Sequence, residues 1–212
     1  MTTMRFIGDV HGRFKAYRAL IKDVPRSIQV GDMGVGFRNF VGGEYTWSQN
    51  PPYDAMGQGL HRFIRGNHDN PAVCRRQDRW IADGALVSGS VFCLGGATSI
   101  DWRWRQEGLD WWADEECSAA DLERHIRAYE MFRPRIVVTH EAPQSIAEAI
   151  MGRNDMRKID DPSRTRLALQ SMLEIHRPEY WVFGHWHVPF RETIDGTTFQ
   201  CLAELEHTDV EI

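Results

Sequence analysis

Residues 63–70, with the sequence FIRGNHDN, join a short apolar run to a cluster of polar residues. The apolar part belongs to a run over residues 60–65 that predicts a β-strand. The cluster after it contains glycine, amides, a histidine and a carboxylate, which occur in solvated turns and also in active sites. Other apolar runs in the chain end in the same way, and this repetition favours an active site.

Polar residues that can bind a metal follow five of the predicted strands. They are Asp9 and His11 after residues 4–8, Asp32 after 27–31, Asn67 and His68 after 60–65, His140 after 135–139, and His185 and His187 after 180–183. Because ligands of open α/β sheets bind outside the carboxyl ends of the strands, we expect these side chains to converge there. A single histidine at a strand end is more often a surface residue, but five such ends together are typical of a site.

The chemistry of these side chains predicts two divalent metal ions. Carboxylates, imidazoles and one amide form a mixed nitrogen and oxygen donor set, which suits Mn, Fe, Zn or Ni better than Mg or Ca. The set is too large for one tetrahedral ion and suits a pair of ions that share a carboxylate. The two carboxylates cancel about half of the charge of the ions, so we expect a locally cationic site that attracts phosphate.

The remaining patterns alternate between strand and helix, which predicts one α/β domain over residues 1–212. We expect helices over residues 12–22, 118–132, 143–151 and 163–176, a short helix from Pro71, and strands over 85–88, 90–94, 188–194 and 197–202. Ser118 and Asp121 resemble a capping box, and Asp195-Gly196 predicts a hairpin turn. Residues 34–59 hold six glycines and two prolines and are expected to form one long loop.

Composition narrows the class of protein. Of the 212 residues, 42% are hydrophobic and 26% are charged, which is typical of a globular protein. The net charge of −5 argues against a dedicated nucleic-acid-binding surface. The cysteines lack the two-residue spacing of zinc or redox motifs and indicate reduced thiols in the cytoplasm. We expect neither a signal peptide nor a membrane span, because the N-terminal stretch and the apolar runs are too short.

Taken in order, the motifs resemble the calcineurin-like metallophosphoesterase family, whose pattern is D-x-H, GD, GNH[DE], a single His and GHxH. The chain supplies Asp9-Val-His11, Gly31-Asp32, Gly66-Asn67-His68-Asp69, His140 and Gly184-His185-Trp-His187. The resemblance implies a two-sheet α/β sandwich flanked by helices, with the site at the strand ends. It also implies hydrolysis of a phosphate ester by a metal-bound hydroxide, without a phosphoenzyme.

The resemblance also implies roles for individual residues. One metal would be held by Asp9, His11, Asp32 and His187, and a second by Asp32, Asn67, His140 and His185, with Asp32 as the bridge. His68 would face the substrate and stabilise its phosphoryl oxygens or protonate the leaving group. Asp69 would orient His68 or serve the structure alone, and Glu141 would support a ligand or be exposed. Gly66 is expected to allow a sharp turn of the backbone.

The substrate is less well defined. The stretch GDMGVGFRN, residues 31–39, departs from the GDxVDRG of protein serine/threonine phosphatases, so that activity is not expected. Arg38 is a candidate substrate-binding residue, although a solvated position is favoured for it. Arg103 and Arg105, or Asp101, are candidates to border the substrate. Most tryptophans of residues 102–112 are expected to anchor their loop in the core. A small-molecule or nucleotide ester is expected, and phosphodiesterase, phosphomonoesterase, nuclease and inactive scaffold all stay open.

Overall fold

The computed structural model describes residues 3–48, 50–154 and 163–212. The strands are β1 (Thr3–Ile7), β2 (Arg26–Gln29), β3 (Phe37–Val41), β4 (Glu44–Ser48), β5 (Leu60–Phe63), β6 (Ala85–Val87), β7 (Val91–Leu94), β8 (Ile136–Thr139), β9 (Tyr180–Phe183), β10 (Phe190–Ile194), β11 (Thr197–Cys201) and β12 (His207–Glu211). The helices are α1 (Phe14–Ile21), α2 (Tyr53–Met56), α3 (Pro71–Cys74), α4 (Ala119–Phe132), α5 (Gln144–Arg153) and α6 (Arg164–Ile175).

These strands form two main sheets and a separate hairpin. The first sheet has the order β12-β1-β2-β5, in which β1, β2 and β5 are parallel and β12 is antiparallel to β1. The second sheet has the order β10-β11-β9-β8-β7-β6, with a parallel centre of β11, β9, β8 and β7. The parallel strands of both sheets supply the ends where the polar residues were predicted to converge.

Apolar residues hold the two sheets against each other. Phe6 of β1 and Ile28 of β2 share a buried cluster with Val138 of β8. On the opposite face of the second sheet, Val137 packs in a cluster with residues of α4, α5 and α6. On the opposite face of the first sheet, Ile7 packs with residues of α1, α2 and α3. Successive strand residues therefore enter different cores, and the layers run helix, sheet, sheet, helix, as the predicted sandwich requires.

Two local predictions, a helix cap and a hairpin, are confirmed. The Ser118 side chain caps α4 by accepting a hydrogen bond from the backbone N–H of Asp121, 3.2 Å away. β10 and β11 pair as an antiparallel hairpin around Asp195 and Gly196, which have φ values of 47° and 86°. All four cysteines are buried and free. No helix in the described ranges has the length and apolar character needed to cross a membrane.

The predicted long loop over residues 34–59 is wrong. Its residues form the β3–β4 hairpin and the short helix α2, while residue 49 lies outside the described ranges. Gly42 and Gly43, with φ values of 63° and 89°, make the tight turn between the two strands. Clustered glycines were therefore the turn signal of a hairpin. The sequence prediction also missed β12, whose alternating exposed residues give it little apolar character.

Candidate metal centre

The first predicted metal group is assembled at the carboxyl ends of the strands. One donor atom from each of Asp9, His11, Asp32 and His187 lies within 4.8 Å of the others, on residues that follow β1, β2 and β9. His187 Nε2 lies 2.8 Å from Asp9 Oδ2 and 3.1 Å from His11 Nε2. Asp9 is fully buried and Asp32 nearly so. A compact set of buried carboxylates and imidazole nitrogens is the donor chemistry of a transition-metal ion.

The second predicted group lies beside the first. His140 Nε2 lies 3.3 Å from Asp32 Oδ1 and 3.1 Å from Asn67 Oδ1. His185 Nδ1 lies 3.0 Å from the same Asn67 oxygen. Asp32 directs its other oxygen, Oδ2, toward His11 Nε2 at 3.8 Å. The Asp32 carboxylate therefore stands between the two groups, as a bridging ligand would.

Four of the candidate ligands have a left-handed backbone. The φ values are 48° at His11, 58° at Asp32, 69° at His185 and 52° at His187. For residues other than glycine, such a conformation costs on the order of 1 kcal/mol or more and persists only where the surrounding structure enforces it. Here neighbouring contacts enforce it: the backbone N–H of His11 donates to the carbonyl of Asp32 at 2.8 Å. The strained turns aim the ligand side chains inward and were not foreseen from the sequence.

The glycines of the motifs are needed for close approach. A Cβ atom on Gly66 would overlap Asp32 Oδ1 and would lie 2.7 Å from His140 Nε2. A Cβ atom on Gly184 would overlap Asp9 Oδ1. Gly66 does not have a positive φ, so the backbone turn that was expected to require a glycine here is not the reason for it. The absence of a side chain lets the strand ends pack directly on the ligands.

Buried partners fix the orientation of the second-group histidines. His140 Nδ1 lies 2.9 Å from the carbonyl oxygen of Val30, which leaves Nε2 as its ligand atom. His185 Nε2 lies 3.7 Å from Glu141 Oε2, so its Nδ1 faces Asn67. Glu141 is fully buried and accepts hydrogen bonds from Trp186 Nε1 at 2.8 Å and Arg166 Nε at 3.0 Å. Glu141 therefore supports the candidate ligand His185, the first of its two predicted alternatives, and is not exposed.

Of the two roles predicted for Asp69, orienting His68 or a structural role, the contacts of its carboxylate fit the structural one. Its carboxylate accepts hydrogen bonds from the backbone N–H groups of Met33, Gly34, Val35 and Gly66 at 2.7–3.1 Å. These donors belong to the loops that follow β2 and β5. Asp69 thus joins the loop of Asp32 to the loop of Asn67.

A chain of buried hydrogen bonds orients the Asn67 amide. Asn67 Nδ2 donates to Ser99 Oγ at 3.1 Å, and Ser99 Oγ donates to Glu115 Oε2 at 2.6 Å. The backbone N–H of Ser99 donates to the other oxygen of Glu115 at 2.7 Å. With its nitrogen held by Ser99, Asn67 presents its oxygen to His140 and His185. Sequence reasoning missed Ser99 and Glu115, because neither belongs to a motif and they lie 16 residues apart.

The electrostatics of the pair formed by Asp32 and His140 favour the binding of a cation. Burial raises the pKa of the Asp32 carboxyl, but His140, His68 and His11 outweigh it and hold that pKa well below its usual range. Burial likewise lowers the pKa of His140, but the carboxylate of Asp32 outweighs it and raises the pKa to about 10. In the metal-free protein His140 is therefore protonated at neutral pH, and a divalent ion would replace that proton as the counter-charge.

His68 lies beside the two metal groups. Its ring stacks on Phe37, with centroids 4.6 Å apart and an interplanar angle of 5°. His68 Nδ1 lies 3.2 Å from His11 Nδ1, and Nε2 lies 2.7 Å from a guanidinium nitrogen of Arg105. The backbone N–H of His68 donates to Asp32 Oδ1 at 2.7 Å. The ring is therefore held on one face and at both nitrogens, next to the bridge position.

Two cavities open on this centre. One, of about 370 Å³, lies over the second metal group and is lined by Asn67 and His185. The other, of about 580 Å³, lies over the first and is lined by His11 and the β3–β4 hairpin. His68, Asp101, Arg105 and His187 line both cavities and form their common wall.

The predicted substrate contacts are placed differently from one another. Arg38 lines the larger cavity and pairs with Asp110. Arg103 is exposed, lines neither cavity, and lies over the Trp102 ring at 5.5 Å, whereas Arg105 reaches His68. The hydrogen bond from Arg105 Nε to Asp101 Oδ1 closes the turn over residues 101–105, and the side chains of residues 102–104 within that turn are exposed.

The expected anchoring of the tryptophans is correct for only part of the set. Trp112 is buried, with 9% of its surface exposed. Trp102 and Trp104 are 44% and 85% exposed, so anchoring is wrong for these two. Trp102 instead stacks on Trp111, with ring centroids 5.5 Å apart.

Comparison with known proteins agrees with this architecture. The family model described as calcineurin-like phosphoesterase matches residues 3–189. No curated protein matches the chain significantly. Similar folds include a putative 5'-nucleotidase from Staphylococcus aureus, determined with alpha-ketoglutarate, at 12% identity and a TM-score of 0.54, with 99% of this chain and 51% of that chain covered. A predicted phosphoesterase from Streptococcus pneumoniae matches at 12% identity and a TM-score of 0.44, with coverage of 99% and 83%.

Proposed function

This chain belongs to the calcineurin-like phosphoesterase family, and from that premise we propose that it hydrolyses phosphate esters with the help of two divalent metal ions. Asp9, His11, Asp32 and His187 would hold one ion, and Asp32, Asn67, His140 and His185 would hold the other. The observation that carries the proposal is the Asp32 carboxylate, which is buried between the two groups with one oxygen toward each. The mixed donor set suits Mn²⁺, with Fe, Zn and Ni as alternatives.

The donor geometry supports metal binding independently of the family. Imidazole nitrogens of His11 and His187 face each other at 3.1 Å, and those of His140 and His185 share one Asn67 oxygen at 3.1 and 3.0 Å. Each group thus gathers several nitrogen and oxygen atoms around one position, where a cation that replaces the protons between them can bind all of them together. Bound ions would supply an activated nucleophile at neutral pH and positive charge for the phosphoryl oxygens.

We propose that His68 and Arg105 act on the ester itself. Coordination of His11 through Nε2 would leave its proton on Nδ1, which then donates to His68 Nδ1 at 3.2 Å. His68 would consequently carry its own proton on Nε2, where Arg105 also presents a donor at 2.7 Å. Because an oxygen cannot fit into a gap of 2.7 Å, the two donors would separate and share an acceptor that both can reach, and an oxygen of the phosphate ester meets that requirement. His68 would thus bind the ester oxygen and assist its departure, while Arg105 would bind phosphate.

The protonation state of His68 supports a role as proton donor that begins when the substrate binds. Burial lowers the pKa of His68 well below its ordinary value, and although Asp32 opposes this shift, the neighbouring His11 and Arg105 add to it. The free protein therefore has a neutral ring at pH 7. The neutral ring can donate a hydrogen bond from Nε2 to an ester oxygen. The negative charge of a bound phosphate ester would raise the pKa and stabilise the protonated ring, which is the form that can give a proton to the leaving oxygen.

Turnover assays with added metal test the proposal. Purified protein would be given Mn²⁺, Ni²⁺ or Zn²⁺ and assayed on para-nitrophenyl phosphate and on bis-para-nitrophenyl phosphate. We expect metal-dependent release of para-nitrophenol, and we expect His68→Ala to bind metal but lose most of the turnover. His207→Ala, at an exposed histidine of β12, is the matched control and should be unchanged. Absence of turnover of both esters with all three metals would contradict the proposal and favour an inactive scaffold.

A further inference from the structure

The two cavities and their common wall define the class of ester. On the basis of the proposed function, we infer that the substrate is a phosphodiester with an uncharged organic group on each side of the phosphorus. A phosphoryl group bound at the common wall has one cavity on either side of it. A monoester has a single substituent and would fill one cavity, whereas a diester has two and would fill both.

The partition between the cavities is where the phosphoryl group belongs. Arg105 Nε donates to Asp101 Oδ1 at 2.6 Å, and the other end of the guanidinium reaches His68 Nε2 at 2.7 Å. These residues line both cavities together with His187, a candidate metal ligand. The wall thus places a cation and an imidazole donor beside the metal groups, which is what a phosphoryl group needs on its outer side.

The walls beyond the partition favour uncharged substituents. In the larger cavity, both arginines beyond the partition are paired with a carboxylate of the same cavity: Arg13 with Glu204, and Arg38 with Asp110. In the smaller cavity, Arg166 is paired with the buried Glu141 at 3.0 Å. Since these cations already have acidic partners, neither cavity offers surplus positive charge to a further phosphate. A diester with neutral substituents fits both cavities better than a polyphosphate tail.

Each cavity also offers an apolar residue to its substituent. Phe40, on the β3–β4 hairpin, lines the larger cavity and is 66% exposed. Ile100 lines the smaller cavity and is 59% exposed. An organic group on either side of the phosphorus would cover one of these surfaces, and the gain from burying it would appear in kcat/KM.

Paired substitutions test the inference. Phe40→Ala and Ile100→Ala would be assayed with Mn²⁺ on bis-para-nitrophenyl phosphate and on para-nitrophenyl phosphate. We expect the wild type to prefer the diester and each substitution to lower kcat/KM for the diester by about fivefold or more. The monoester fills one cavity, so at most one of the two substitutions should lower its kcat/KM. Trp104→Ala, which removes an aromatic ring that is 85% exposed and lines neither cavity, is the matched control.

The outcomes separate this inference from the proposed function. A diester whose kcat/KM falls with only one of the substitutions, or with neither, would overturn the two-cavity inference. Preference for the monoester would overturn it as well, and in both cases the metal-dependent hydrolysis would stand. Failure of the wild type to hydrolyse either ester would instead overturn the proposed function, and the inference with it.

Discussion

Removal of the Ser99 hydroxyl should weaken one metal site and leave the other intact. Ser99 Oγ accepts the hydrogen bond from Asn67 Nδ2 at 3.1 Å and donates to Glu115 Oε2 at 2.6 Å. In Ser99→Ala the amide nitrogen of Asn67 loses its acceptor inside the protein. A flip of the amide would then let Nδ2 donate to His185 Nδ1, and it would turn the ligand oxygen away from the metal.

The size of the effect follows from these contacts. A buried donor left without its partner costs about 1–3 kcal/mol. At about 1.4 kcal/mol for each factor of ten, the bias toward the binding orientation of Asn67 falls by roughly 5- to 150-fold. Loss of partners that orient metal ligands typically weakens metal binding by about 10- to 100-fold. We therefore expect the second site, which contains Asn67, to bind Mn²⁺ about 10- to 100-fold more weakly, with little change at the first.

Calorimetric titration of metal-depleted protein with Mn²⁺ measures both sites in one experiment. Ser27→Ala is the matched control, since Ser27 is a buried serine of β2 that contacts His61, 3.0 Å away, and no candidate ligand. Thermal unfolding without metal should show similar destabilisation of both variants. If Ser99→Ala binds two Mn²⁺ ions with affinities within twofold of those of Ser27→Ala, the argument for the hydrogen-bond chain is refuted.

Three further predictions follow from the geometry of the centre. Gly66→Ala should abolish Mn²⁺ binding at the second site, because the added Cβ would overlap Asp32 Oδ1. The control Gly152→Ala, in α5, should bind metal normally, because its Cβ would meet no atom within 4 Å. Normal metal binding by both variants would contradict this account. Arg105→Ala should lower kcat/KM by about tenfold or more at unchanged metal affinity, with partial recovery in Arg105→Lys, and unchanged kinetics would remove Arg105 from the site. Mn²⁺ binding should release a proton from His140, whose pKa is about 10 in the metal-free protein. The affinity for Mn²⁺ should therefore increase about tenfold for each unit by which the pH is raised toward that value, and the calorimetric heat should depend on the buffer. A heat independent of the buffer would argue against this exchange.

The parts of the structure that the sequence predicted are those encoded by neighbouring residues. Apolar runs that end in Asp, Asn or His located the parallel strands and the candidate ligands, since strand ends meet at one edge of a sheet. The cap at Ser118 and the turn at Asp195 are local contacts, and both were predicted. The candidate metal centre was therefore foreseeable as a set of residues that lie close together.

What the sequence did not predict depends on distant contacts. The strand β12 is recognisable only through its pairing with β1, because its own residues are largely polar. Ser99 and Glu115 act on Asn67 through side-chain bonds between separate loops, and no local pattern marks them. Arg105 was distinguished from Arg103 only by the turn between them, which directs one toward His68 and the other outward.

Activity during a metal titration tests the central claim most directly. Metal-depleted protein would receive increasing Mn²⁺ while hydrolysis of bis-para-nitrophenyl phosphate is followed under conditions of tight binding. Two ions that share Asp32 predict turnover that levels off at two Mn²⁺ per chain and that is lost in Asp32→Asn, which removes charge from both groups. A plateau at one Mn²⁺ per chain, undiminished turnover in a chelator, or full activity of Asp32→Asn would contradict a dinuclear centre bridged by this carboxylate.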